Sequence, residues 1–387
     1  MIVVFWIAVA IPVAVILGNP LLLWLNVRFG KTSRVQSSTV DEGAERQRFA
    51  MVTVVKNPSQ ELLQQKLKNT QAIDGLQQWV LYHDGPAPDF IKQIADALPA
   101  VVSLHESGEA MGKNAVLNLA LRECQGDIII FSDMDSLLEP DCVARLQEHF
   151  KDPQVGGVCG QREIGEKGQD SSAQSLYINL DSLIKRWESQ LGQITSNDGK
   201  LYAVRRSLTR HIPDGVTDDL YSGLSVIRSH RKMIFDQYLV ARIRIPSRTL
   251  SHEIERRRRI VCRSLSGMWH HRALFNPVSF GFFAPRLFIN KVLRRFIPHA
   301  VLLAVVAVVA INLSSPGKVA ALVVAIALYL TVTLVGYYGL LRNRLPGLLK
   351  KLINTNAYVA AGLYGTFLGT CDFFLGRKYV MWVPKKN

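Results

Sequence analysis

Long apolar runs at both ends of the 387-residue chain constrain its fold most strongly. Residues 1–26 read MIVVFWIAVAIPVAVILGNPLLLWLN and contain no charged side chain. Because about 20 apolar residues in a helix span a bilayer core, we predict an N-terminal transmembrane helix over 1–26. A cleaved signal peptide is the alternative, but the run lacks a basic start and a small-residue cleavage site.

Three further apolar runs predict a block of transmembrane helices over 296–376, and they lie at 296–313, 319–341 and 358–375. Arg28, Lys31 and Arg34 follow the first run, and the positive-inside rule places that side in the cytoplasm. If all four runs crossed, the basic tail 377–387 would lie outside, against that rule. The topology at this end therefore stays open.

The segment 273–295 combines aromatic and basic residues, which predicts an interfacial amphipathic helix. The net charge of +15 fits membrane-flanking Lys and Arg. No stretch interleaves basic and aromatic residues as a nucleic-acid groove does. Anionic lipid and nucleotide phosphates are the expected partners. The five cysteines are dispersed and form no CxxC pair, which predicts reduced thiols in a reducing compartment.

The middle of the chain alternates two kinds of pattern after a polar linker at 27–48. Strand signals lie at 51–55, 79–83, 101–105 and 127–132, and helix signals at 61–69, 91–98 and 114–124. This alternation predicts an α/β domain over 49–272, with a mostly parallel sheet and helices on both faces. In such sheets, ligands bind outside the carboxyl ends of the strands.

The sharpest motif is Asp133-Met134-Asp135, which directly follows the apolar run 128–132. In an extended chain, residues two apart point the same way. The two carboxylates can then hold Mg²⁺ or Mn²⁺, which bridges a diphosphate and neutralises the leaving group. The alternative is a solvated turn after a strand.

Two upstream residues are further candidates. Asp84 follows the second strand, where its carboxylate can accept a hydrogen bond from the imide of a nucleotide base. An ordinary Asp-Gly turn is the alternative. Lys113 follows a glycine at a helix start and offers a point charge to a phosphate, although the spacing of a Walker loop is absent.

Downstream, Asp218 and Asp219 lie at a predicted helix start. One of them can act as the general base that deprotonates an acceptor hydroxyl, or the pair can simply cap the helix. The sequence EIERRRRI at 253–260 is either a solvated or headgroup-binding patch, or a clamp for a diphosphate.

Taken in chain order, these motifs over about residues 50–375 resemble the family 2 glycosyltransferases. The resemblance is strongest to the membrane-bound branch that contains cellulose, hyaluronan and poly-N-acetylglucosamine synthases. It implies a GT-A-like fold, an inverting reaction, a cytoplasmic active site, Mg²⁺ or Mn²⁺ as cofactor, and a nucleotide-diphosphate sugar, with UDP expected, as donor.

The resemblance also implies roles for individual residues. Asp84 would contact the donor base, Asp133 the nucleotide-sugar and Asp135 the metal. Asp219 would be the general base, with Asp218 beside it. Lys113 is counted with the donor site. The family's acceptor-side segment matches Gly199 to Arg206 and so includes Tyr202, and its QxxRW motif places Arg256 and Arg259 at the donor.

Three positions depart from the family pattern. Asp218 replaces the Glu of the TED motif, which keeps the charge with a shorter reach. Ile260 replaces the Trp of QxxRW, which puts long-chain polymerisation in doubt. The first strand is followed by no acidic residue until Glu61, which puts base recognition at that corner in doubt.

We therefore expect a multi-pass inner-membrane glycosyltransferase that acts on a lipid-linked or polysaccharide acceptor. The alternatives are a non-catalytic membrane scaffold with a transferase-like fold and, less in keeping with the large polar middle, a transporter. The sequence predicts no oligomeric state.

Overall fold

The computed structural model describes residues 1–29, 47–95, 101–165, 173–243, 249–338 and 346–381. These residues belong to two compact units. The sheet unit comprises Leu23–Pro246, Ser266–Ala284 and Lys378–Asn387. The helical unit comprises Met1–Leu22, Ser247–Leu265 and Pro285–Arg377.

The described part of the sheet unit contains one eight-stranded sheet. Its strands, in chain order, are β1 Phe49–Val55, β2 Gln78–His83, β3 Val102–Glu106, β4 Ile128–Ser132, β5 Ser136–Leu138, β6 Val155–Ile164, β7 Leu201–Arg205 and β8 Lys232–Ile243. Their order across the sheet is β3-β2-β1-β4-β7-β6-β8-β5.

The first four strands are mutually parallel, so their carboxyl ends lie at one edge. Strand β7 runs antiparallel to both β4 and β6, while β6 pairs parallel with β8 and β5 pairs antiparallel with β8. The predicted α/β fold with a mostly parallel sheet is confirmed. The antiparallel insertion of β7 was not predicted.

Apolar side chains explain why the central strands form the core. Every residue of β1 and β4 is buried, as expected for parallel strands covered on both faces. The helices of this unit are α3 Gln60–Gln71, α4 Asp89–Ala95, α5 Lys113–Glu123, α6 Cys142–Phe150, α7 Ala173–Gln190, α8 Asp218–Arg228 and α10 Pro277–Phe280. The largest core side chains are Trp79, Tyr202 and Phe49, each almost completely buried.

The apolar ends of the chain are helical, and the arginine-rich helix α9 precedes the second of them. These helices are α1 Ile2–Val13, α2 Asn19–Phe29, α9 Leu250–His270, α11 Phe283–Leu287, α12 Ile297–Ile311, α13 Pro316–Tyr338 and α14 Gly347–Phe374. Among the described residues, three helical stretches are long and apolar enough to cross a membrane, namely Ile2–Arg28, Phe283–Ile311 and Pro316–Tyr338. Three of the four predicted spans thus coincide with such stretches.

The fourth predicted span, at 358–375, is not among these stretches, and its crossing of the membrane stays a prediction. It lies in α14, whose Asp372 side chain is only 2% exposed. That carboxylate is paired with both Arg258 and Arg377. An ion pair is thus buried near the carboxyl end of α14.

The segment that follows α14 belongs to the sheet unit. A Cβ added at Gly112 would lie 2.7 Å from the carbonyl oxygen of Val380, and one added at Gly215 would lie 3.6 Å from Cβ of Lys378. Gly112 has a φ of +93°, so a side chain is excluded both by backbone conformation and by space. The start of the tail therefore packs against the unit that holds the predicted site.

Two other boundary predictions have mixed outcomes. Most of the predicted linker, residues 30–46, lies outside the described residues. The predicted interfacial helix at 273–295 is a series of short helical segments, and its second half is continuous with the candidate span Phe283–Ile311.

Candidate active site

The predicted base-binding residue Asp84 lies at the carboxyl end of β2 and is 1% exposed. Its Oδ1 accepts hydrogen bonds from the backbone N–H groups of Met111 (2.7 Å) and Gly112 (3.1 Å). Its Oδ2 lies 3.6 Å from Lys56 Nζ and accepts no hydrogen bond within the described part of the chain. A buried acceptor of this kind is suited to an N–H donor from a ligand.

The DxD carboxylates lie at the carboxyl end of β4, and a buried lysine holds the turn that carries them. Lys66 Nζ donates to Ser132 Oγ (2.8 Å) and to the carbonyl oxygen of Ser136 (2.5 Å), the residues on either side of the motif. Burial lowers the pKa of Lys66 to about 8. No motif in the sequence singles out Lys66.

Lys113 connects the DxD motif to the start of α8. Its Nζ lies 3.0 Å from Asp133 Oδ1 and 2.9 Å from Asp218 Oδ2. Burial by itself lowers the pKa of Lys113, but the charges of Asp133 and Asp218 outweigh it and hold the pKa above its usual range. Lys113 therefore carries a fixed positive charge between two predicted site carboxylates.

Lys200 makes the corresponding contact on the other side of the motif. Its Nζ lies 3.1 Å from Asp133 Oδ2, 2.6 Å from Asp135 Oδ1 and 2.8 Å from Asp135 Oδ2. Burial raises the pKa of Asp133, but Lys113 and Lys200 outweigh it and hold that pKa well below its usual range. The resemblance included Lys200 in the acceptor-side segment, but the sequence predicted no contact between Lys200 and the DxD motif.

The five side chains form a continuous series of alternating charge, which we call the carboxylate–lysine chain. Its members, in order, are Asp218, Lys113, Asp133, Lys200 and Asp135. Antiparallel β7 explains the position of Lys200, because Leu201 is paired with Ser132 and so the start of β7 lies beside the end of β4.

Asp219 lies one residue beyond this chain, in the first turn of α8. Its Oδ1 accepts a hydrogen bond from the N–H of Leu220 (2.7 Å), and a Cβ added at Gly199 would lie 3.5 Å from its Oδ2. Burial, followed by the negative charge of Asp218, raises the pKa of Asp219 to about 6. The structure thus brings the predicted base and the predicted acceptor-side glycine together.

The sequence profile described as Glycosyl transferase family 2 matches residues 52–212 of this chain. The match runs from β1 to just beyond β7 and includes Asp84, Lys113 and both carboxylates of the DxD motif. This segment is a family 2 glycosyltransferase domain. The resemblance seen in the sequence is confirmed.

The glycosyltransferase domain has relatives of two kinds. The chain is similar to the solved mannosyltransferase PcManGT from Pyrobaculum calidifontis, a complex with GDP-Man and Mn²⁺, with a TM-score of 0.66, 20% identity, and coverage of 97% of this chain and 100% of that one. This likeness shows a GT-A-like fold. An N-acetylglucosaminyltransferase from Azorhizobium caulinodans is 30% identical over 88 residues, which are 23% of this chain and only 22% of that relative.

The oxygen atoms of the glycosyltransferase's DxD motif suit a hard divalent cation. Within the described residues, no three His, Cys, Asp or Glu side chains form a group that holds a metal by themselves. Asp135 is 47% exposed, so its carboxylate is accessible. The residues therefore fit Mg²⁺ or Mn²⁺ when a bound diphosphate supplies further oxygen ligands.

Tyr202 requires a correction as an acceptor-side residue. The side chain is completely buried in β7 and stacks on Phe131, with ring centroids 4.3 Å apart. An acceptor does not reach a buried ring, so Tyr202 contributes to the core beneath the site instead. The alternation of strand residues explains this, since adjacent side chains point to opposite faces.

Arg256 and Arg259 both belong to α9, in the helical unit. Arg256 is paired with Glu253 on its own helix, at 3.0 Å from Nε to Oε2. Their predicted contact with the donor diphosphate stays a prediction.

Proposed function

We propose that this protein is an inverting, metal-dependent, membrane-bound hexosyltransferase. It transfers a sugar from a nucleotide-diphosphate sugar, with UDP as the expected nucleotide, to a lipid-linked or polysaccharide acceptor. The observation that carries the proposal is the convergence of Asp133, Asp135 and Asp218 with two lysines at the carboxyl edge of the sheet. The base candidate Asp219 lies directly beside them.

The donor is expected to bind between the ends of β2 and β4. The Oδ2 of Asp84, which accepts no hydrogen bond among the described residues, would accept the imide N–H of the base, and the two lysines would contact the diphosphate. When bound, Mg²⁺ or Mn²⁺ held by Asp135 with Asp133 supplies positive charge to the leaving nucleotide diphosphate. Electrostatic stabilisation of this type is usually the largest contribution to catalysis.

Asp219 would take the proton from the acceptor hydroxyl as the oxygen attacks the anomeric carbon. The carbon–oxygen bond to the diphosphate breaks as the new glycosidic bond forms, and the electron pair leaves with the nucleotide diphosphate. A pKa of about 6 leaves Asp219 ionised at neutral pH yet more basic than an ordinary aspartate. Attack from the face opposite the leaving group inverts the configuration.

The helices support a membrane location for the acceptor. Three stretches are able to cross a bilayer by length and composition. The tail packs within the sheet unit, at Gly112 and Gly215, so the unit and the tail lie on one side of the membrane. Two crossings after the sheet unit satisfy this constraint and place the basic tail with the other basic segments in the cytoplasm.

The absence of a Trp at Ile260 favours transfer of one sugar per encounter over processive synthesis. The solved mannosyltransferase contains GDP-Man, so guanosine donors also belong in any test. Product length separates the two modes of transfer, since a ladder of oligomers indicates processive addition.

The experiment is a panel of UDP- and GDP-sugars incubated with the purified full-length protein, with and without Mn²⁺ or Mg²⁺. We expect hydrolysis or transfer with at least one donor, dependent on the metal and lost in Asp135→Ala and Asp219→Ala. Glu148→Ala is the matched control, because this carboxylate is 69% exposed and paired only with Lys151 among the contacts that the structure describes. Wild-type turnover in either site variant would overturn the assignment, and donor binding without any turnover would favour the scaffold alternative.

A further inference from the structure

A lysine takes up the oxygen atoms of the DxD motif that a divalent ion would use. Lys200 Nζ contacts both oxygens of Asp135 and one oxygen of Asp133, all within 3.1 Å. The remaining oxygen of Asp133 contacts Lys113. Each of the four DxD oxygens is therefore in contact with an ammonium group.

The backbone holds Lys200 in this position. The N–H of Lys200 donates to Asp198 Oδ1 (3.1 Å), and the residue that follows it is paired with Ser132 in the sheet. The Lys200 side chain is 19% exposed, so most of it is shielded from water. The ammonium group is thus held against the carboxylates of the motif.

A divalent ion on Asp135 would meet the positive charge of Lys200 at close range. Two unit charges 4 Å apart repel by about 1 kcal/mol even in water, and a divalent ion doubles this value to about 2 kcal/mol. At about 1.4 kcal/mol per factor of ten, the metal binds roughly 30-fold more weakly than it would without the lysine. A bound diphosphate offsets the repulsion between the metal ion and Lys200, because its negative oxygens attract both cations.

We propose that Lys200 is an internal counter-ion that keeps divalent ions off the DxD motif until the donor diphosphate arrives. The ammonium then leaves the carboxylates for the diphosphate, and the metal and the donor bind together. This inference rests on the proposed function. It makes Lys200 a donor-binding residue that sets the order in which the metal and the donor bind.

The test measures Mn²⁺ binding to the full-length protein by electron paramagnetic resonance of the free ion, without and with UDP. For Lys200→Met without UDP, we expect Mn²⁺ affinity roughly 30-fold above wild type. Lys200→Arg retains the charge and should bind as weakly as wild type. Lys151→Met removes a lysine from an exposed pair elsewhere and is expected to match wild type.

The results for Mn²⁺ binding distinguish failure of the counter-ion inference from failure of the proposed function. If wild type and Lys200→Met bind Mn²⁺ equally without UDP, while UDP strengthens binding to both, the counter-ion inference is wrong and the metal-dependent transferase stands. If none of the proteins binds Mn²⁺ even with UDP, the metal dependence in the proposed function fails together with this inference. Circular dichroism of each variant shows that it is folded.

Discussion

Replacing Asp219 with Asn should stabilise the protein at neutral pH, because the ionised carboxylate is buried at a cost. Burial and the charge of Asp218 raise the pKa of Asp219 from 3.8 to about 6. Asn retains an oxygen that can accept the hydrogen bond from the N–H of Leu220. The substitution therefore removes the charge and leaves this local contact in place.

The magnitude follows from linkage between protonation and folding. Because the pKa of Asp219 rises on folding, its carboxyl group does not change the free energy of folding below the unfolded pKa. Above the folded pKa, the same group makes folding about 3 kcal/mol less favourable. We expect Asp219→Asn to be more stable than wild type by up to about 3 kcal/mol at pH 8, with most of that gain gone near pH 4.

The assay is urea denaturation of the full-length protein in detergent, followed by tryptophan fluorescence at several pH values. Glu148→Gln, which removes an exposed carboxylate, should show no such pH-dependent gain. A difference between Asp219→Asn and wild type that stays constant from pH 4 to pH 8, or that has the opposite sign, would refute the reasoning about Asp219.

Three other changes test separate parts of the structure. Lys113→Met leaves Asp133 and Asp218 without their shared cation. We expect the variant to lose about 2 kcal/mol of stability in thermal unfolding and to turn over more than 100-fold more slowly. Unchanged turnover would contradict this expectation. Asp372→Asn removes the carboxylate shared by Arg258 and Arg377 and should cost about 3–5 kcal/mol in thermal unfolding in detergent; an unchanged melting temperature would show that the pair does not hold α14. Cysteines introduced at Ser314 and Lys378 should react with an impermeant maleimide from opposite sides of the membrane, and labelling of both from one side would contradict the proposed topology.

The first four strands were predictable because the chain repeats a simple pattern there. Apolar runs that end in polar turns alternate with helical segments, and the observed strands begin and end within about two residues of the predicted ones. The same pattern placed Asp84 and the DxD motif at the carboxyl ends of β2 and β4, the two parallel strands on either side of β1. Local sequence therefore determined this half of the site.

The second half of the site, which includes Lys200, depends on contacts between residues that are distant in the sequence. Strand β7 is five residues long, and its antiparallel pairing with β4 is set by long-range packing. Without that pairing, the position of Lys200 beside Asp135 is not visible in the sequence. For the same reason, the burial of Tyr202 was missed.

The fourth apolar run shows a different limit. Its small residues looked compatible with a lipid-facing helix, but Gly365 and Gly369 lie directly against the backbone of α9, where a Cβ does not fit. Asp372 in the same helix pairs with Arg258. Composition predicts an apolar helix, whereas only the structure identifies the helix against which its small residues pack.

The most direct measurement compares donor binding and turnover in one preparation of Asp219→Asn. A general base contributes about 10²–10⁴-fold to the rate without holding the donor. We therefore predict donor affinity within about threefold of wild type and turnover lowered by about 10³-fold. Turnover equal to that of wild type would contradict the role of Asp219 as the base, and with it the account of this site.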